Sequence, residues 1–200
     1  MASIDVKVPP QEAPKLPLLI KIIATAMSLF QLFTGIYQLT AMNQRVIHVT
    51  FGLILIYLLY GWNSRKKTSI SWDGYLLAGL ALGLGLYVLC TWFTKVGHMG
   101  MAPPVHELVF GFIFLVLCAE GARRTLGWVF PIIAAVAMIY ARFGEWLPGI
   151  LAHKNYPFER LVDSMFITSE GVFGMLAGIS ATYIFLFILF GAMLREAGGG

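Results

Sequence analysis

The chain has 200 residues, 58% of them hydrophobic and only 12% charged, with a mean hydropathy of +0.79. An ordinary soluble domain carries roughly 25% charged residues, and a soluble fold of this length has too little interior to hide so much apolar surface. The formal charge of +4 sits in short basic clusters between apolar blocks rather than on one polar face, which argues against nucleic acid as a partner.

The apolar blocks run to about 15 to 24 residues, close to the roughly 20 that an α-helix needs to cross a bilayer core of about 30 Å. No alternation of apolar and polar residues in ten-residue segments, the mark of a transmembrane barrel, is visible. The sequence therefore predicts an all-α, polytopic transmembrane helix bundle of about six spans, with both termini in the cytoplasm and the lipid bilayer as its solvent.

Met1 to Lys15, with three prolines and mixed charge, is expected to be a disordered cytoplasmic lead. The block after it lacks a small-residue cleavage site and is longer than a signal-peptide core, so it is expected to be retained. The first span is predicted over Leu16 to Leu39, with Pro17 suited to a first helical turn and Lys21 near enough to the end to snorkel. The second covers Val46 to Trp62. The most basic loop follows, Asn63 to Asp73, with Arg65, Lys66 and Lys67. The third span, Gly74 to Phe93, has Gly79 and Gly83 at the interval that lets helix backbones approach closely in lipid.

A Gly/Pro-rich turn from Gly97 to Pro104 leads into a short fourth span, Val105 to Ala119, which puts His106 and Glu107 at one interface and Glu120 at the other. The fifth span is predicted over Leu126 to Phe143, where Pro131 is compatible with a mild kink. After Pro157, the residues Phe158, Leu161, Val162, Met165 and Phe166 share one helical face, and the expectation is a short amphipathic helix along the membrane surface. The sixth span, Val172 to Leu194, repeats the close-packing interval at Gly174 and Gly178.

With the N-terminus inside, nine basic residues fall on the cytoplasmic side (Lys7, Lys15, Lys21, Arg65, Lys66, Lys67, Arg123, Arg124 and Arg195) and five outside (Arg45, Lys95, Arg142, Lys154 and Arg160), as the positive-inside rule requires. The basic lead, the Arg65 cluster and the Arg123 pair are each two spans apart, so a missed or extra helix would break the agreement. Cys90 and Cys118 belong near opposite faces, about 20 Å apart in depth, too far for a disulfide.

Neither a phosphate-binding loop, nor a G-x-S-x-G, H-E-x-x-H or paired C-x-x-C motif, is present, and no catalytic residue, metal ligand or enzyme activity is predicted. His98 and His106 share an outer loop, but their offset fits no usual ligand pattern, and an interfacial role is the default. Charges at membrane depth are expensive, and here nearly all lie at helix ends. Glu120 and Arg123 are three apart and suited to pair on one face, while Arg124 is placed to meet lipid phosphate or a neighbouring helix. Glu107 and Arg45 belong near the outer interface, where an ion pair between spans, a solvated pose and a lipid-facing one are all compatible with the sequence. These five, Glu120, Arg123, Arg124, Arg45 and Glu107, are the structural interface candidates. Ser28, Gln31, Thr34, Ser180 and Thr182 are polar within spans, and such residues usually bond their own backbone or join helices.

The stretches A-E-G-A-R-R-T-L-G-W-V-F-P-I-I-A at Ala119 to Ala134, F-G-E-W-L-P-G at Phe143 to Gly149 and T-S-E-G-V-F-G-M-L-A-G-I-S-A-T-Y-I-F-L-F-I-L-F-G-A-M-L at Thr168 to Leu194 resemble the fused membrane subunit of tripartite ATP-independent periplasmic (TRAP) transporters, the type served by TAXI-class binding proteins. W-D-G-Y-L at Trp72 to Leu76 and R-V-I-H at Arg45 to His48 fit the family's small four-helix region more loosely. Two departures stand out: Glu107 takes the place of a frequent aspartate, and Gly121 that of a frequent alanine.

The resemblance implies a lead over residues 1–15, a four-helix small-subunit-like region over 16–122, and a linking helix with its periplasmic loop over 123–156. Residues 157–200 would then form an interfacial helix and the first span of a large permease domain that is cut short. It further implies a multi-pass protein of a bacterial or archaeal inner membrane that takes up small organic acids. The partners would be a periplasmic TAXI-type substrate-binding protein and the remaining large permease domain. The complete transporter would be sodium-coupled, without other cofactors. No substrate or ion motif of the family falls in this sequence, so the chain is expected to act as scaffold and docking part, with Thr94 to Pro104 and Glu145 to Thr168 as docking segments. The alternative is a stand-alone or truncated membrane interaction or assembly protein without transport activity.

Overall fold

The computed structural model of the chain describes residues 16–62, 70–96, 103–146 and 148–198. Among these, the chain is an all-α bundle with five helices long and apolar enough to cross a membrane. They are α1 (Leu18–Ile36), α2 (Ala41–Leu59), α3 (Trp72–Val96), α4 (Val105–Leu126) and α7 (Met175–Glu196). Between them stand the shorter α5 (Val129–Arg142) and the nine-residue α6 (Phe158–Phe166). The expected lead, the Arg65–Lys67 cluster and His98 lie outside the described residues.

Three boundaries differ from expectation in ways that move functional side chains. Helix α2 starts at Ala41, because Ala, Met, Gln and Arg are good helix formers whatever their hydropathy, and Arg45 is therefore a helical residue rather than a loop one. Helix α4 continues past the apolar block to Leu126 and carries Glu120, Arg123 and Arg124 on its last turns. It stops at Gly127, whose φ of 85° is open to glycine and strained for other residues. Helix α5 has 14 residues, about 21 Å, and is an apolar helix shorter than a standard span. Pro131 falls in its first turn, where the missing N–H would have no intrahelical acceptor anyway, so the proline starts the helix instead of kinking it.

The centre of the bundle is α2, packed on α3 and α4. Val46, Tyr57, Ala81, Val88 and Phe114 are each at most 1% exposed, and the Tyr57 hydroxyl donates to the Leu117 carbonyl at 2.5 Å. Glycine sets the close approaches, but at other positions than those singled out in α3. Nothing lies within 4 Å of where a Cβ would sit on Gly79 or Gly83, whereas one at Gly85 would lie 2.8 Å from Thr50 Cγ2. At Gly111 a Cβ would lie 2.7 Å from Val162 Cγ1 and 3.1 Å from Phe166 Cδ1.

That last contact shows what covers part of α6. The expected amphipathic helix exists, and of its apolar stripe Leu161, Val162 and Phe166 are buried, with Val162 and Phe166 against α4, while Phe158 and Met165 stay exposed. The rings of Phe114, Phe166 and Phe173 meet with both centroid distances from Phe114 at 5.3 Å, which ties α4, α6 and the turn before α7 together.

Candidate functional site

The polar side chains gather in three places: where α2 and α4 finish and α3 begins, where α3 finishes and α4 begins, and where α1 finishes and α2 and α7 begin. At the end where α2 and α4 finish and α3 begins, Arg124 is buried, with 1% of its surface exposed. Its Nε donates to Glu120 Oε1 at 2.7 Å, one turn back on the same helix. Its Nη1 reaches the Tyr60 carbonyl at 3.1 Å and Asp73 Oδ2 at 3.2 Å, so that one guanidinium spans three helix ends. Arg123 forks onto Glu120 at 2.6 and 2.7 Å and donates to the Trp62 carbonyl at 3.0 Å. It also lies 4.9 Å from the Trp62 ring centroid and 5.3 Å from that of Trp128. A guanidinium between indole faces is a favourable cation–π arrangement, and exposed Trp62, Trp72 and Trp128 at one end form an aromatic girdle of the kind found where helices leave lipid. The expected Glu120–Arg123 pair is present, and of the two partners open to Arg124 the structure gives it the neighbouring helices.

At the other end, Glu107 is buried and paired with Lys95, the last basic residue of α3. His106 Nε2 is 3.7 Å from Glu107 Oε1, and the Tyr87 hydroxyl donates to the same oxygen at 3.4 Å. Glu107 is thus neither solvated nor paired with Arg45. Lys95 also acts on Asp163 of α6: burial raises that carboxyl above its ordinary value, and the Lys95 charge opposes the rise. A carboxyl held above its unfolded value stabilises the fold while protonated, and that contribution is complete below about pH 4 and lost as pH rises through the folded value. Asp163→Asn is therefore expected to raise the unfolding free energy in detergent at pH 7 by less than about 1 kcal/mol, because the group is partly solvated, and to change nothing at pH 4. An equal gain at both pH values would refute the titration account.

Where α1 finishes and α2 and α7 begin runs a thread of uncharged polar groups. Gln44 Nε2 donates to Thr34 Oγ1 at 3.2 Å, and Thr34 Oγ1 donates to the Gln31 carbonyl at 3.0 Å. Gln31 Nε2 meets His48 Nδ1 at 2.6 Å, and His48 Nε2 meets Ser180 Oγ at 3.1 Å. The thread joins α1, α2 and α7. Ser180 opens a π-helical stretch, Ser180–Ile184, inside α7, and such stretches are frequent where a helix does something other than span. Ser28, by contrast, donates to its own backbone at the Ala24 carbonyl, and Thr182 to that of Gly178. Arg45, just above the thread, donates from Nη1 to the Phe173 carbonyl at 3.2 Å.

No family model, curated protein or solved structure matches this chain.

What the side chains can do chemically follows from their placement. Among the described residues no group of three His, Cys, Asp or Glu is placed to hold a metal ion, and Cys90 and Cys118 are free thiols. The charges are engaged with one another across helix ends, so both ionic groups act as fasteners. The sequence reading found the partners within one helix and missed those between helices, since periodicity carries no information on which ends meet. His48 was missed as the centre of the thread. A histidine seven residues into an apolar helix that also holds Thr50 was the available signal.

Proposed function

We propose that the chain is the N-terminal membrane portion of a TAXI-type TRAP permease in a bacterial or archaeal inner membrane, acting as scaffold and docking part for a periplasmic binding protein. The substrate path would lie in the remaining large domain. One observation carries this reading: polar residues of the stretches on which the resemblance rests meet one another across the bundle. Asp73 of W-D-G-Y-L pairs with Arg124 of A-E-G-A-R-R. Arg45 and His48 of R-V-I-H meet Phe173 and Ser180 of the Thr168–Leu194 stretch. In F-G-E-W-L-P-G, Glu145 Oε2 accepts from Asn155 Nδ2 at 3.1 Å and holds the loop beyond α5 in shape. A resemblance arising by chance from apolar composition would give no reason for its polar positions to meet pairwise.

The orientation proposed, with both termini inside, is supported by the same pairs. Arg123 and Arg124 share an end with Trp62 and Asp73, the residues that flank the basic loop, and the positive-inside rule assigns that end to the cytoplasm. The opposite end then presents Trp146 and Ile150, which are 83% and 102% exposed and stand on two short 3₁₀ turns, Gly144–Trp146 and Gly149–Leu151. Photo-crosslinkers placed at these two positions in intact cells should capture a periplasmic solute-binding protein. Failure to capture one at either position, while crosslinkers at Trp72 remain silent as controls, would sink the docking role.

A further inference from the structure

Arg45 is the one candidate residue whose charge the fasteners leave over. It is half-buried, donates only to a backbone carbonyl, and pairs with no carboxylate among the described residues. Its room is provided by Gly178, where a Cβ would lie 2.8 Å from Arg45 Nε. Beside it is a pocket of about 210 Å³ between the first turns of α2 and α7, lined by Ala41, Gln44, Arg45, Met175 and Thr182 among others. Both helix N-termini open on this pocket, and their dipoles add to the positive potential. Thr182 already donates to Gly178, and the lining contains no carboxylate. The chemistry suits an oxyanion and offers an ammonium group no negative charge.

Below it a second pocket of about 270 Å³ shares Thr182 and Tyr183 and continues along Leu186, Phe187 and Phe190 of the same helix. It is apolar. The joint between the two pockets is the π-helical stretch, whose wider turn carries Thr182 and Tyr183. From Thr182 to Phe190 the groove runs about 12 Å along α7. A cationic cup at the start of a spanning helix, continued by an apolar groove along that helix, has the polarity of a lipid molecule read from head to tail.

We propose that this is a binding site for an anionic phospholipid, with its phosphate on Arg45 and one acyl chain along Phe187 and Phe190. Guanidinium is suited to phosphate through its planar pair of donors, and the absence of a lining carboxylate favours phosphatidylglycerol over a lipid with a cationic head. The inference stands apart from the transporter reading, since it needs only that the helices lie in a bilayer.

The test uses the full chain in detergent, examined by native mass spectrometry with phosphatidylglycerol, diacylglycerol and inorganic phosphate as probes. Phosphatidylglycerol should be retained about tenfold more tightly than diacylglycerol. Arg45→Gln should abolish that preference, and Arg45→Lys should keep part of it. A phosphatidylglycerol carrying a diazirine in its acyl chain should label the wild-type chain on the peptide containing Phe187 and Phe190, an outcome that does not depend on any variant folding. Equal retention of the two lipids, an unchanged preference in Arg45→Gln, or label spread evenly over all helices would overturn the proposal. Displacement of phosphatidylglycerol by equimolar inorganic phosphate would assign the pocket to a free anion and overturn it as well.

Discussion

Arg124→Ala is expected to cost about 3–5 kcal/mol of stability, the usual consequence of removing one partner from a buried ionic group. Its guanidinium holds Glu120, Asp73 and the Tyr60 carbonyl at once, so its loss unties the start of α3 from the ends of α2 and α4 and leaves Glu120 to Arg123 alone. Equilibrium unfolding in mixed micelles gives the measurement. Arg124→Lys should fall between the two, because an ammonium keeps the charge but cannot reproduce the fork. The double variant Glu120→Ala, Arg124→Ala should cost less than the sum of the single ones, since it removes both sides of the strongest contact. If Arg124→Ala lies within about 1 kcal/mol of the parent, the group is a solvated surface pair and not a fastener.

Phe114→Ala should be the largest effect of a neutral substitution. The ring is fully buried and touches Phe166 and Phe173, both of which are also buried, at 5.3 Å. In lipid the helices gain little from hiding apolar surface from water, so packing itself must hold them together, and an aromatic ring replaced by a methyl group leaves a cavity that α6 and the turn before α7 are not free to fill. A cost of about 3–5 kcal/mol follows from comparable truncations. The same variant should open α6 to solvent: a cysteine at Val162, protected from a water-soluble thiol reagent in the parent background, should react readily beside Phe114→Ala. Unchanged protection would mean that Gly111 and not the aromatic trio anchors α6 to α4.

Much of the fold was legible in the apolar blocks, because a span is a property of one segment and lipid leaves the chain few alternatives. Helix ends were less so. Hydropathy places the start of α2 at Val46, whereas the helix takes in Ala41 to Arg45, and only backbone propensity speaks for those residues. Glycine pairs were misleading in the same way. The interval at Gly79 and Gly83 marks a face on which an approach is sterically open, but nothing in one helix tells whether a neighbour comes; Gly85 and Gly111, without that pattern, are where neighbours come. At Gly174 and Gly178 the interval did point to a close contact at its second member, and the visitor is the Arg45 side chain instead of a backbone.

The candidate residues divide along the same line. Glu120 and Arg123 are three apart on one helix and their pairing is a local matter. Arg124 with Asp73, and Glu107 with Lys95, required knowledge of which ends lie side by side. The amphipathic stripe of α6 was correct as a pattern, but a stripe reports only that something covers it. Part of the cover is protein, with Val162 and Phe166 lying over Gly111 of α4, while Phe158 and Met165 stay exposed.

The two fastenings differ in how long the ribosome must wait for them. Arg124 follows Tyr60 and Asp73 in the chain, so when it is synthesised its acceptors are already in place and the helix that carries it can be locked on arrival. Arg45 and His48 precede Phe173 and Ser180 by 128 and 132 residues. Until α7 is made, Arg45 lacks its carbonyl acceptor and His48 has Gln31 of α1 but not Ser180, so the polar side of the early hairpin is completed only when the last span arrives.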